Sequence, residues 1–285
     1  SSYLRNWLPE TAAPPVLPTG NSDRRAGWVR SGMSARRWLA LAVLAALVLV
    51  AGCRRRAPAG TVRVAAAADL ARAFEEVGKA FKAKTGASVV FTFHSSGLLA
   101  KQISEGAPFD VYAAAARSYV DDVIKAGACD AATRAAYGRG RLVVWSKGQP
   151  LTAITDLADA RFAKIAIANP DHAPYGKAAK QALEKLGLWS QVAGRMVFAD
   201  NVQVTMQWAQ DGSADAAIVA LSLATVTQGG TSVPVDPALH DPLEQELVVC
   251  GKGGGTAAAR QFAAFVNSPD GRTIMRNYGF RLPGE

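Results

Sequence analysis

Four short stretches set Ser, Asp or Asn just ahead of segments with helical period. They are Ala68-Asp69-Leu70, His94-Ser95-Ser96-Gly97, Asn169–Gly176 and Asp200-Asn201-Val202. These residue types cap helix N-termini. A helix start offers free N–H groups and about half a positive charge. Several aimed at one point hold an anion without help from Lys or Arg. Any one of the four has an ordinary structural reading as a cap. Their recurrence after successive strands is what points to a shared anion site.

Enzymatic readings find less support. His94 stands beside Ser95, but adjacent residues at a strand end point apart, and the nucleophile-elbow pattern G-x-S-x-G is absent around Ser96. His94, His172 and His240 have no metal-ligand spacing. His172 reads as a loop residue near a cleft. No direct cation ligands, no cofactor and no catalytic residues are expected.

The elements that must position these residues follow from periodicity. Thr61–Ala67 reads as a strand, and Leu70, Phe74, Val77 and Phe81 then fall at helical spacing up to Gly86. Ala87–Phe93 is the next strand, and Ser95-Ser96-Gly97 opens a helix stopped by Gly106. Phe109–Ala115 is a third strand, with a helix from Ser118 to Lys125. A second series starts at Arg141–Trp145. It continues with strands at Lys164–Ala168, Arg195–Phe198 and Ala214–Ala220 and helices at Tyr175–Leu186 and Val202–Gln210. Glu246–Cys250 is a further strand, followed by Gly251–Gly255 and helices near Ala257–Asn267 and Asp270–Asn277. Alternating strands and helices predict an α/β fold with mostly parallel sheets. Two series joined near Gly140 and again near Gly251 predict two lobes with a ligand cleft between them. Lobe I is expected at 61–140 plus 251–285, and lobe II at 141–250.

The N-terminal part reads differently. Arg36 and Arg37 precede an apolar run from Trp38 to Val50, too short for a comfortable membrane span and of signal-peptide length. Val50-Ala51-Gly52-Cys53 resembles the bacterial lipobox, which implies cleavage before Cys53 and lipid on its sulfur. An ordinary secretory signal is the alternative, and either one exports the protein. Met33 is placed to start this signal, expected at 33–52. Residues 1–32, rich in Pro, Arg and Ser, read as upstream or disordered sequence, and 53–60 as a tether. The formal charge of the 285 residues is +9, but residues 1–53 hold six Arg against two acids. The remaining positives are scattered, apart from Arg54–Arg56, with no basic stripe interleaved with aromatics. Nucleic acid is therefore not an expected partner. Cys129 and Cys250 remain, to be a disulfide or two buried thiols.

AAADL, FHSSGLLAKQISEGAPFDVYAAA, ANPDHAPYG, ADNVQVTMQ and the closing NSPDGRTIMRNYGF together resemble the bacterial molybdate-binding proteins over about residues 61–280. These are extracytoplasmic solute-binding components of ABC transporters. The resemblance implies a two-lobed periplasmic-binding-protein fold closing on a tetrahedral oxyanion, most often molybdate or tungstate. It implies a monomer that delivers the anion to a membrane permease; with the lipobox, the protein is expected on the periplasmic face, lipid-anchored to the cell envelope. It places oxyanion ligands at Asp69, Ser95, Ser96, the Tyr175 N–H and the Val202 N–H. Ala220 stands where many relatives carry a ligand tyrosine, so the Tyr175 phenol is a candidate substitute. Ala116-Arg117 replaces the family's Ala-Asp pair. Asp69 stands where the family has a neutral Ser or Asn. It could cap its helix, bind a proton, or select a protonated oxyanion such as phosphate or arsenate.

Overall fold

The computed structural model describes residues 60–251 and 256–285. The expected signal peptide, Cys53 and nearly all of the tether lie outside the described residues, as does most of Gly251–Gly255.

The chain builds two five-stranded sheets. The first takes β1 (Thr61–Ala67), β2 (Ser88–His94), β3 (Val111–Ala114), β4 (Cys129–Arg139) and β10 (Glu244–Cys250), in the order β2-β1-β3-β10-β4. The second takes β5 (Leu142–Ser146), β6 (Ile165–Ala168), β7 (Met196–Ala199), β8 (Ala216–Ala220) and β9 (Thr231–Pro234), in the order β7-β6-β8-β5-β9. Four strands of each sheet run one way. Only β10 in the first and β5 in the second run against them. These two reversed strands follow the chain's crossings between lobes.

The first crossing is Gly140-Arg141, between β4 and β5, as the sequence predicts. The second lies between Pro234 and Glu244, before β10. The expectation of a crossing near Gly251, with residues up to 250 in lobe II, is therefore corrected: β10 pairs with β3 and β4 in the first sheet. Pro237 and Pro242 mark the segment that crosses. Pairing with β10 also creates β4, a strand without an alternating apolar pattern of its own, through a register broken by irregularities at Gln245/Glu246 and Leu247/Val249.

Helices pack around the sheets: α1 (Ala71–Thr85), α2 (Ser96–Ser104), α3 (Arg117–Lys125), α4 (Pro174–Lys185), α5 (Trp189–Val192), α6 (Val202–Asp211), α7 (Leu221–Ala224), α8 (Ala257–Val266) and α9 (Pro269–Asn277). The predicted stripe Leu70, Phe74, Val77 and Phe81 is fully buried. Phe74 and Phe81 meet Phe262 of α8 edge to face, at ring-centroid distances of 6.0 and 5.4 Å. The C-terminal helices thus return to lobe I. A disulfide joins Cys129 to Cys250 across neighbouring strands β4 and β10.

Candidate oxyanion site between the lobes

Parallel strands put the starts of the following segments at one sheet edge. Asp69 follows β1, Ser95 and Ser96 follow β2, Tyr175 opens α4 after β6, and Val202 opens α6 after β7. All five line one small cavity between the lobes, with His94, Ala115 and Pro174 among the other walls. It is a tight space of about 10 Å³ and has no Lys or Arg in its lining. A space far below the roughly 300–1,000 Å³ of drug-sized pockets leaves no room for a larger organic ligand.

The donors are left free by specific contacts. Asn201 caps α6, its Oδ1 accepting the N–H groups of Gln203 (3.0 Å) and Val204 (3.1 Å). That leaves the Val202 N–H for a ligand. Ser96 Oγ accepts the Ala115 N–H at 3.0 Å, so its hydroxyl proton is available for donation. The Tyr112 hydroxyl donates to the Ser96 carbonyl at 2.7 Å and fixes this turn from below. Ser96 is fully buried, which strengthens any charge-assisted hydrogen bond it makes.

Ser95 behaves differently. Its Oγ lies 2.8 Å from His172 Nδ1, across the cleft. Its N–H donates to His94 Nδ1 at 2.8 Å. The Gly97 N–H donates to the His172 carbonyl at 2.9 Å. A Cβ at position 97 would sit 2.8 Å from that carbonyl oxygen, so glycine is what lets the lobes touch here. His172 therefore joins the two lobes, a role that its place in a polar loop does not announce.

Asp69 corrects two expectations. It lies within a short 3₁₀ segment, Ala68–Leu70, and caps no helix. The Tyr175 phenol is not free to replace a ligand tyrosine, because it donates to Asp69 Oδ2 at 3.0 Å. Gln245 Nε2 donates to the same oxygen at 2.6 Å, while Ser222 holds the Asp69 carbonyl at 2.7 Å. Asp69 Oδ1 is buried and has no hydrogen-bond partner in another described residue. Burial pushes this carboxyl up to about 6, and the donors Gln245 and Tyr175 and its own N–H offset only part of that rise. Burial and Asp69 together push the Tyr175 phenol well above its usual range. Ser95 caps α2 by position but without a side-chain bond, and α4 starts after Ala173. Of the cleft residues expected as caps, Asn201 is the one whose side chain accepts N–H groups of its helix among the described residues. Arg117, in the altered pair, lies 3.6 Å from Glu246.

Two α/β lobes closing on a cation-free cavity at helix starts define a solute-binding protein. The chain belongs to the family of bacterial extracellular solute-binding proteins, which it matches over residues 62–281. It is 34% identical over 243 residues to the molybdate-binding protein of Rhodobacter capsulatus, covering 82% of this chain and 94% of that protein. It is 29% identical to a putative ABC transporter substrate-binding lipoprotein of Bacillus subtilis, over 84% of this chain and 96% of that one. Its fold matches the solved periplasmic molybdate-binding protein of Azotobacter vinelandii with a TM-score of 0.74, at 30% identity, over 78% of this chain and 99% of that one.

Proposed function

We propose that this protein captures molybdate or tungstate outside the cytoplasm and delivers it to an ABC permease, without catalysing a reaction on it. The carrying observation is the cavity itself: Ser95, Ser96, Tyr175 and Val202, donor-bearing positions from both lobes, converge on it, and its lining holds no Lys or Arg. Such a cavity binds through oriented N–H and O–H groups. Ser95 and His172 are close enough for a nucleophile and base, yet no carboxylate hydrogen-bonds to His172 among the described residues. Asp69 favours a second reading, a protonated oxyanion such as phosphate or arsenate, because an ionised carboxylate only accepts hydrogen bonds.

Thermal-shift titration against molybdate, tungstate, sulfate, phosphate and arsenate separates these readings. A ligand at a hundred times its Kd stabilises the native state by about 2.7 kcal/mol. Molybdate and tungstate should shift the melt most. Ser96→Ala should weaken their binding about ten- to a hundredfold, the worth of a hydrogen bond to a charged group, with the fold retained. Unchanged affinity in calorimetry would remove Ser96 from the site.

The lipobox resemblance and the kinship with a lipoprotein support a lipid anchor on Cys53. In that case Cys53→Ser releases the protein from the membrane fraction or leaves the precursor uncut. A wild-type protein recovered without lipid after export would contradict the anchor.

A further inference from the structure

Asp69 lines the anion cavity, yet half of its carboxyl group is unserved. Oδ2 receives two donors, the Tyr175 hydroxyl and the Gln245 amide. Oδ1 receives none from any other described residue, although Asp69 is 1% exposed. A buried acceptor without a donor is costly, and a buried charge without a counter-ion more so. The pattern fits a carboxyl group that becomes neutral when the anion binds. Its carbonyl oxygen has two lone pairs for two donors, and its hydroxyl would be the oxygen that no protein donor serves. Resting on the oxyanion reading above, we propose that one proton is captured with the anion and held between Asp69 Oδ1 and an anion oxygen. The proton turns the one acceptor in the lining that would repel an anion into a donor.

Among the described residues the surroundings offer no other source of compensation. From β2 comes His94, whose Nδ1 already accepts the Ser95 N–H. From β4 comes Tyr137, whose hydroxyl donates to the Ala114 carbonyl at 3.0 Å. From β10 comes neutral Gln245, while its neighbour Glu246 pairs with Arg134 and Arg117. The charged residues of α1 nearest in sequence, Arg72, Glu75 and Glu76, are exposed. Helix α7 presents Ser222, and the single charged residue of α6, Asp211, sits exposed at its far end. Burial already lifts this carboxyl to about 6, and a nearby anion raises it further, which favours protonation on binding.

The sign follows. Above the pKa of the free site the proton must come from solvent, so affinity falls as pH rises. Below it the carboxyl is already protonated and affinity is level. Calorimetry with molybdate and with tungstate, in two buffers of different ionisation enthalpy and from about pH 6 to about pH 9, reads the coupling directly. Wild type should take up close to one proton per anion at about pH 8 and lose roughly tenfold in affinity per pH unit there. Asp69→Asn keeps the shape and offers an N–H to the anion, so its uptake should fall to near zero and its profile should flatten. Asp69→Ser is the second variant, with the same expectation. The difference between wild type and variants carries the comparison, because it cancels proton uptake by any other group. Wild-type binding without proton uptake, or a variant that keeps the wild-type slope, overturns the proposal alone. If neither anion binds wild type at any pH, the functional reading falls with it.

Discussion

Replacing Cys129 and Cys250 together by Ala is expected to lower the stability of the domain by roughly 3–5 kcal/mol while leaving anion affinity of the folded protein almost unchanged. The bridge spans a sequence separation of 121 residues. In the chain-entropy account a loop of about this length removes enough freedom from the unfolded chain to stabilise by about 4–5 kcal/mol. Packing adds to this figure only slightly, since both side chains already sit among Leu99, Ile103, Tyr112, Val120 and Val123. For a domain of this size each kcal/mol moves the melting temperature by about 2–4 °C, so a fall of about 6–20 °C is expected. Affinity is spared for a geometric reason. The disulfide closes one end of the β4–β10 pair, and Gln245, which supports Asp69, stands at the other. Melting curves with and without reductant, alongside molybdate titration of the double variant, check both halves. A large affinity loss at full fold would mean that the bridge sets the cleft geometry. An unchanged melt would mean that the unfolded chain gains little from its release.

The parts of the fold that sequence exposes are those with a local signature. The β1 strand matches its expected bounds, and the α1 stripe is buried as its spacing predicts. By contrast, β4 mixes Ala, Thr and Arg and owes its extended form to a partner more than a hundred residues away. The apolar run of β10 marks a strand but not its sheet, and the Gly-rich segment after it mimicked a lobe boundary. The same divide holds in the site. Asp69, Ser96, Tyr175 and Val202 stand at strand-to-helix junctions that periodicity and family resemblance both flag. Gln245 reaches Asp69 across 176 positions of sequence, and Tyr112 supports Ser96 from inside a sheet. Neither contact leaves a trace in residue spacing. Asp69 was visible as an anomaly, but its unserved Oδ1 and its bonds to Tyr175 and Gln245 needed coordinates.

Gly176→Ala should damage stability and binding together, unlike the cysteine pair or Ser96→Ala. Gly176 is the third residue of α4, and a methyl group there would land on the Ala168 carbonyl oxygen at the end of β6. It would also lie 2.6 Å from the Ala168 carbonyl carbon and 3.0 Å from that of Asn169. These are backbone atoms of a buried strand end, so no side chain can rotate away. The helix must lift off β6, and it is anchored there by Ala178, Ala179, Ala182 and Leu183. Overpacking of this kind costs about 1–3 kcal/mol, occasionally more, and the upper end applies where backbone meets backbone. Lifting α4 also moves the Tyr175 N–H out of the cavity and the Tyr175 hydroxyl away from Asp69, 3.0 Å distant in the native packing. A shift of about 1 Å is enough to break hydrogen bonds of that length, so a fall of at least about tenfold in affinity is expected. Gly194→Ala is the matched control: no atom lies within 4 Å of its added methyl group, and its backbone is outside the left-handed region. It should stay within about 0.5 kcal/mol of wild type. Denaturant melts and molybdate titrations of both variants decide the matter. A Gly176→Ala protein as stable and as tight-binding as the control would show that α4 can move without disturbing the cavity, and Tyr175 would then have to be removed from the site.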